Sequence, residues 1–120
     1  MIERNRLDDN PISREEYVEA VLIAYRQTPG TGGTVRRPDR LLAAKLHARG
    51  VPLSAVENAL VLAAARRMIR PAEAPPLGTI RSLAYFSPVI DEVLELRVGP
   101  DYFQYLRSKI QRFLQTSTTR

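Results

Sequence analysis

The stretch LSAVENALVLAAARRMIR, residues 53–70, constrains the fold more than any other part of this chain. From Val56 to Ala65 its only charge is Glu57, and a cationic end follows with Arg66, Arg67 and Arg70. A helix that is apolar nearly all the way round must be covered on several sides, so it belongs in the middle of a bundle. Ser54 with Glu57 three residues on matches a capping box, and Pro71 lies just past the last turn.

The neighbours needed to cover it are legible on both sides. SREEYVEAVLIAYRQ carries a second capping box, Ser13 with Glu16, and predicts a helix over about 14–27. Tyr17, Val18, Val21, Leu22 and Tyr25 share its inward face. Pro38 and Asp39 suit the first turn of a second helix, DRLLAAKLHARG, which Gly50 ends. Beyond the stiff connector PAEAPPLG, Thr79 or Ser82 starts a further helix. Pro88 kinks that helix or splits it, the second piece then being capped by Ser87, and Gly99 closes it. Pro100 and Asp101 open the last helix, with an apolar stripe of Tyr102, Phe103, Leu106, Ile110, Phe113 and Leu114. No alternating strand pattern of useful length occurs. The expected fold is an all-α, compact bundle of four to six helices around a central apolar helix, with no β-sheet. Its domain is expected to span 13–115, with an N-terminal extension at 1–12 and a flexible tail at 116–120.

At 120 residues the chain has the size of one domain. It contains no cysteine, which excludes disulfides, thiolate nucleophiles and cysteine-ligated metal centres. No apolar run approaches the ~18 residues of a membrane span, and MIERNRLDDNP is charged where a signal peptide is apolar. The expectation is a soluble cytoplasmic protein with no membrane contact.

The net charge of +5 is unevenly distributed. Residues 36–81 hold nine bases against three acids, and residues 102–120 hold four bases against none. Residues 82–101 hold one base against four acids. Separate basic segments of this kind attract phosphate backbones, while an acidic segment suits a protein partner. The candidate nucleic-acid-binding residues are Arg36, Arg37, Arg40, Arg66, Arg67 and Arg70, with Lys109 and Arg112 as a second patch beside Arg107 and Tyr105. Asp91, Glu92 and Glu95 are the candidate partner-binding residues.

Other chemistry has little support. TPGTGGTVRRP brings three glycines before two arginines, but it lacks the lysine of a phosphate loop and follows a helix rather than a strand. It reads as a hinge that lets the second helix swing relative to the first. The pair LLAAKLHARG and VPLSAVENAL has the outline of a helix-turn-helix; its second helix offers few polar side chains to base edges, and an ordinary antiparallel helix pair fits better. His47 is the single histidine and has no second metal-ligand type near it. No catalytic residue, metal or cofactor is expected.

LHARGVPLSAVENALVLAAARR followed by PPLGTIRSLAYFSPVIDEVL resembles the helical accessory regions of plasmid- and phage-type replication initiators and DnaD-like helicase loaders. The likeness covers about residues 38–97 and rests on a helix pair, a connector, and Ile80 and Arg81 ahead of Tyr85 and Phe86. The tryptophan-bearing motif of the DnaD-like proteins is absent, because the chain has no Trp. The resemblance implies association with DNA, in preference to RNA, within a replication, recombination or mobile-element machine. The expected function is that of a small non-enzymatic protein that binds nucleic acid through backbone phosphates as an accessory subunit of a larger complex. The alternative is a protein-interaction adaptor docking through the acidic kinked helix and the aromatic last helix.

Overall fold

The computed structural model describes residues 12–96 and 100–118. Helices α1 (Arg14–Gln27), α2 (Arg37–Ala48), α3 (Leu53–Met68), α4 (Ser87–Glu95) and α5 (Pro100–Thr118) follow in order, with a 3₁₀ turn, Leu83–Phe86, running straight into α4. Among the described residues there is no sheet, only an isolated parallel bridge between Thr31 and Ile80. The domain is all-α, as the periodicity predicts.

α3 is the centre. Ala55, Val56, Ala59, Leu60, Leu62, Ala63, Ala64 and Ala65 are buried along it, and α1, α4 and α5 pack around it. Its four buried alanines from Ala59 to Ala65 leave short side chains at the contacts, which lets neighbouring helices approach closely. α2 packs on α1 and on the 3₁₀ turn. The expected antiparallel pair of α2 with α3 is therefore not the arrangement adopted; α1 is the partner of both.

The helix ends follow local chemistry with two exceptions. At α1 the capping box forms: Glu16 N–H donates to Ser13 Oγ (3.1 Å) and Ser13 N–H to Glu16 Oε1 (3.2 Å). Its predicted inward face, Tyr17 to Tyr25, is buried throughout. The Ser54–Glu57 box of α3 does not form. The cap is Pro52, whose carbonyl accepts from Ala55 and Val56 N–H (3.0 and 3.3 Å), so Ser54 already lies inside the first turn. At Pro88 the chain divides in two, but Phe86 rather than Ser87 precedes α4 as its cap residue. Pro88 sits in that helix's first turn, where its missing N–H would have no intrahelical acceptor in any case. Gly99 lies outside the described residues, as do residues 1–11 of the extension expected at 1–12. α5 continues to Thr118, past the expected start of a tail at 116.

The glycine-rich stretch is not a free hinge. Gly32 N–H donates to Ile80 O (3.1 Å) and Ile80 N–H to Gly30 O (2.8 Å), which ties the α1–α2 loop to the connector after α3. Gly30 holds φ +97°, and a Cβ there would lie 3.1 Å from Arg67 Nε. The backbone conformation favours glycine, and a Cβ would press on the Arg67 side chain. Two backbone bonds and the buried Ile80 side chain fix what sequence alone suggested would move.

Asp39 completes the fixation. Its side chain is 2% exposed. Oδ2 accepts from Arg36 N–H (2.9 Å), closing the start of α2, and Oδ1 accepts from Leu83 N–H (2.9 Å), capping the 3₁₀ turn from 44 residues away. One carboxylate thus joins α2 to the segment leading into α4.

Candidate functional site

The candidate nucleic-acid residues fall into three groups. Arg66, Arg67 and Arg70, at the C-terminal end of α3, line one cleft with Ala63, Leu77, Tyr85, Pro88 and Val89, enclosing about 420 Å³. α3 supplies one wall, the connector a second, and the 3₁₀ turn with the start of α4 the third. The arginines also complement the negative end of the α3 dipole.

Each of these arginines has an internal partner. Arg66 forks onto Glu92, Nη1 donating to Oε1 (2.8 Å) and Nη2 to Oε2. That pairing raises the pKa of the guanidinium and lowers that of the carboxyl. Arg67 donates from Nη2 to Gly78 O (2.7 Å) and from Nη1 to Tyr85 Oη (3.2 Å), with its guanidinium carbon 5.7 Å from the centre of the Tyr85 ring. Arg70 Nη1 donates to Pro75 O (2.8 Å). Only Glu92 brings a negative charge; the other acceptors are neutral. The Arg66 charge is thus met by Glu92, while Arg67 and Arg70 have no ion pair among the described residues.

Arg36 and Arg37 form the second group, exposed at the start of α2. Asp39 holds the Arg36 and Leu83 backbones on the two oxygens of one carboxylate, which sets this corner beside the segment that carries the exposed Arg81. The same glycine loop passes under Arg67 at Gly30, so corner and cleft flank one loop. Arg40, in the next turn, bonds Glu19 of α1 (3.0 Å).

Lys109 and Arg112 are not brought to the cleft. α5 runs along α3 with Arg107 Nη2 3.5 Å from Asn58 Oδ1, near the opposite end of α3 from Arg66 and Arg70. Lys109 Nζ lies 3.4 Å from Tyr105 Oη and 5.7 Å from its ring centre.

The acidic set is partly neutralised. Asp91 pairs with Arg49 (3.7 Å) and Glu92 with Arg66, which leaves Glu95 exposed with no ion pair among the described residues. Both pairs lie at the surface, with the Asp91 and Glu92 side chains 62% and 38% exposed, so the acidic set stays accessible while it ties α4 to the bases beside it. His47 packs edge-on against Tyr17, with ring centres 5.0 Å apart. No helix among the described residues is long and apolar enough to cross a membrane.

Three contributors were missed by sequence reasoning: Asp39 as a tertiary tie, Tyr85 as a cleft wall, and the Gly78 carbonyl that orients Arg67. Asp39 left one signal, an acid alone among basic residues in RRPDR. Its second acceptor role depends on Leu83, far away in sequence. Near the same residues, Tyr25 is fully buried with its hydroxyl unpaired. Burial first and the Asp39 charge second push its pKa up, against a smaller lowering by Arg36.

Compared with known proteins, the chain matches no family model, no curated protein and no solved structure. The geometry of the cleft and its corner carries the functional argument alone.

Proposed function

We propose that this is a non-enzymatic nucleic-acid-binding protein that holds backbone phosphates in the cleft of Arg66, Arg67 and Arg70 and at the corner of Arg36 and Arg37. The observation that carries the reading is the cleft: the guanidiniums of Arg67 and Arg70, held by neutral acceptors, stand beside Arg66, which Glu92 pairs, around a space of about 420 Å³ with the half-exposed Tyr85 on its wall. Guanidinium forks match phosphate oxygens, and the half-exposed Tyr85 ring adds aromatic surface beside them. Contacts of this kind go to the phosphate backbone, so binding is salt-sensitive. DNA is the preferred substrate in this reading, and an accessory place in a replication or recombination complex is the setting the sequence pattern resembles.

The test is anisotropy of labelled single- and double-stranded DNA and RNA over a salt series. Affinity falls linearly on a log–log plot, with a slope near −0.9 per duplex phosphate contacted or about −0.7 on single strands. Arg37→Glu and Arg70→Ala each weaken binding and flatten that slope, whereas Arg40→Ala, already paired with Glu19, changes both little. Binding insensitive to salt, or equal in the Arg37 and Arg70 variants and the wild type, refutes the proposal.

A further inference from the structure

Arg67 and Arg70 carry two charges into the cleft that no ion pair meets among the described residues. Their hydrogen bonds go to neutral oxygens, those of Gly78 and Tyr85 for Arg67 and of Pro75 for Arg70. A guanidinium has five N–H donors, and these bonds use two on Arg67 and one on Arg70, so most of each fork is left for a ligand. Two helix ends also meet in the cleft. The C-terminal end of α3 is the negative pole of its dipole, while the first turn of α4, which lends Pro88 and Val89 to the lining and contains no acid, is the positive pole of another. The poles offset each other, and the charge of the two arginines stands.

That charge selects among phosphates. A diester within a strand brings one negative charge, whereas a phosphate monoester brings about −1.5 to −2 at pH 7, with three acceptor oxygens. Glu92 sharpens the choice. Its carboxylate already forks onto Arg66 as a singly charged diester would, so a diester gains little by displacing it. A dianion is matched by Arg67 and Arg70 together.

The space has the dimensions for more than a phosphate. Its volume of about 420 Å³ lies in the lower part of the range of roughly 300–1,000 Å³ found for small-molecule sites. Ala63 on α3, Leu77 on the connector and Val89 on α4 give each wall apolar surface, with the Tyr85 ring beside them. A backbone that only passes by uses the cations of such a site; a nucleotide that enters uses the apolar lining as well. We infer that the cleft takes a nucleotide's terminal phosphate monoester, as found at the end of a nucleic-acid strand, with the phosphate on Arg67 and Arg70 and the nucleoside against Leu77, Tyr85 and Val89. The inference rests on the nucleic-acid reading and narrows it: the strand end enters the cleft, and the diesters that follow run to Arg36 and Arg37 across the loop at Gly30.

The probe is single-stranded DNA of about 20 nucleotides, labelled at mid-chain, with a 5′-phosphate, a 3′-phosphate or hydroxyls at both ends. In anisotropy at about 0.15 M salt a phosphorylated strand binds at least about tenfold more tightly than the hydroxyl strand, and the arm that gains names the end. On the wild-type protein adenosine 5′-monophosphate shifts the amide ¹⁵N signals of Arg67, Gly78, Tyr85 and Val89, and adenosine does not. Arg70→Ala removes most of the preference for the phosphorylated strand, and Glu92→Gln increases it by freeing Arg66. Arg37→Glu weakens both strands by the same factor and keeps their ratio. Equal binding of phosphorylated and hydroxyl strands, adenosine acting as its monophosphate does, or shifts outside the cleft overturns the inference. Salt-sensitive binding that is blind to strand ends overturns it while the backbone reading stands. Adenosine 5′-monophosphate held in the cleft of a protein with no affinity for any strand refutes the backbone reading and keeps the monoester site.

Discussion

Replacing Asp39 by Ala is the perturbation that most directly probes how the basic corner is held. The substitution removes two charge-assisted acceptors at once, at Arg36 N–H and at the buried Leu83 N–H, both 2.9 Å away. A hydrogen bond to a charged group contributes about 1.5–3 kcal/mol, and a donor left buried without an acceptor costs about 1–3 kcal/mol. Against this stands the gain from no longer burying a carboxylate that is 2% exposed, which offsets part of the loss. The expected net destabilisation is about 3 kcal/mol, a fall in Tm of roughly 12 °C for a domain of this size. Asp39→Asn keeps one carbonyl acceptor and turns an amide donor towards the other N–H, so it lies between the two, about 2 kcal/mol below wild type. Urea unfolding followed by circular dichroism at a constant m-value reads these differences. A loss under about 0.5 kcal/mol for Asp39→Ala would refute the account, since an ordinary exposed first-turn acid gives that much through the helix dipole alone.

Other outcomes follow from the same geometry. Ser13→Ala costs about 1 kcal/mol because its capping box forms, whereas Ser54→Ala changes stability by less than about 0.5 kcal/mol because Ser54 caps nothing; equal effects in paired melts would contradict the assignment. Gly30→Ala costs about 1–3 kcal/mol from its positive φ and pushes on Arg67, which weakens DNA binding as well as stability; an unchanged melting curve would contradict the tie between loop and cleft. Burial drives the Tyr17 pKa up to about 12, so the native state keeps a proton that the unfolded chain releases near pH 10. The stabilisation is complete below pH 10 and is lost as pH rises towards about 12. Tyr17→Phe shrinks that alkaline decline, and it lowers stability at neutral pH by about 1 kcal/mol or more through loss of the bond from Tyr17 Oη to Val51 O (2.8 Å). An unaltered pH profile in denaturant melts would count against the burial argument.

The sequence by itself determined the helices and their order. The boundaries of α1, the central place of α3 and the stop at Gly50 all follow from residues within a few positions of one another, because helical periodicity and capping act within one or two turns. Local signals overreached where a stronger neighbour stood close by: Pro52 takes the start of α3 from Ser54, and Phe86 precedes α4 ahead of Ser87. Only the tertiary structure decided what the charged residues do. Arg40 and Glu19 lie 21 positions apart, Arg66 and Glu92 26, and Asp39 and Leu83 44. Each pairing depends on how whole helices cross, which no local pattern encodes. The same crossing turned the glycine stretch from a swinging connection into a loop bridged to Ile80, and it split the basic residues into a cleft, a corner and the flank of α5. Periodicity places a side chain on a face, and packing alone selects the groups opposite it.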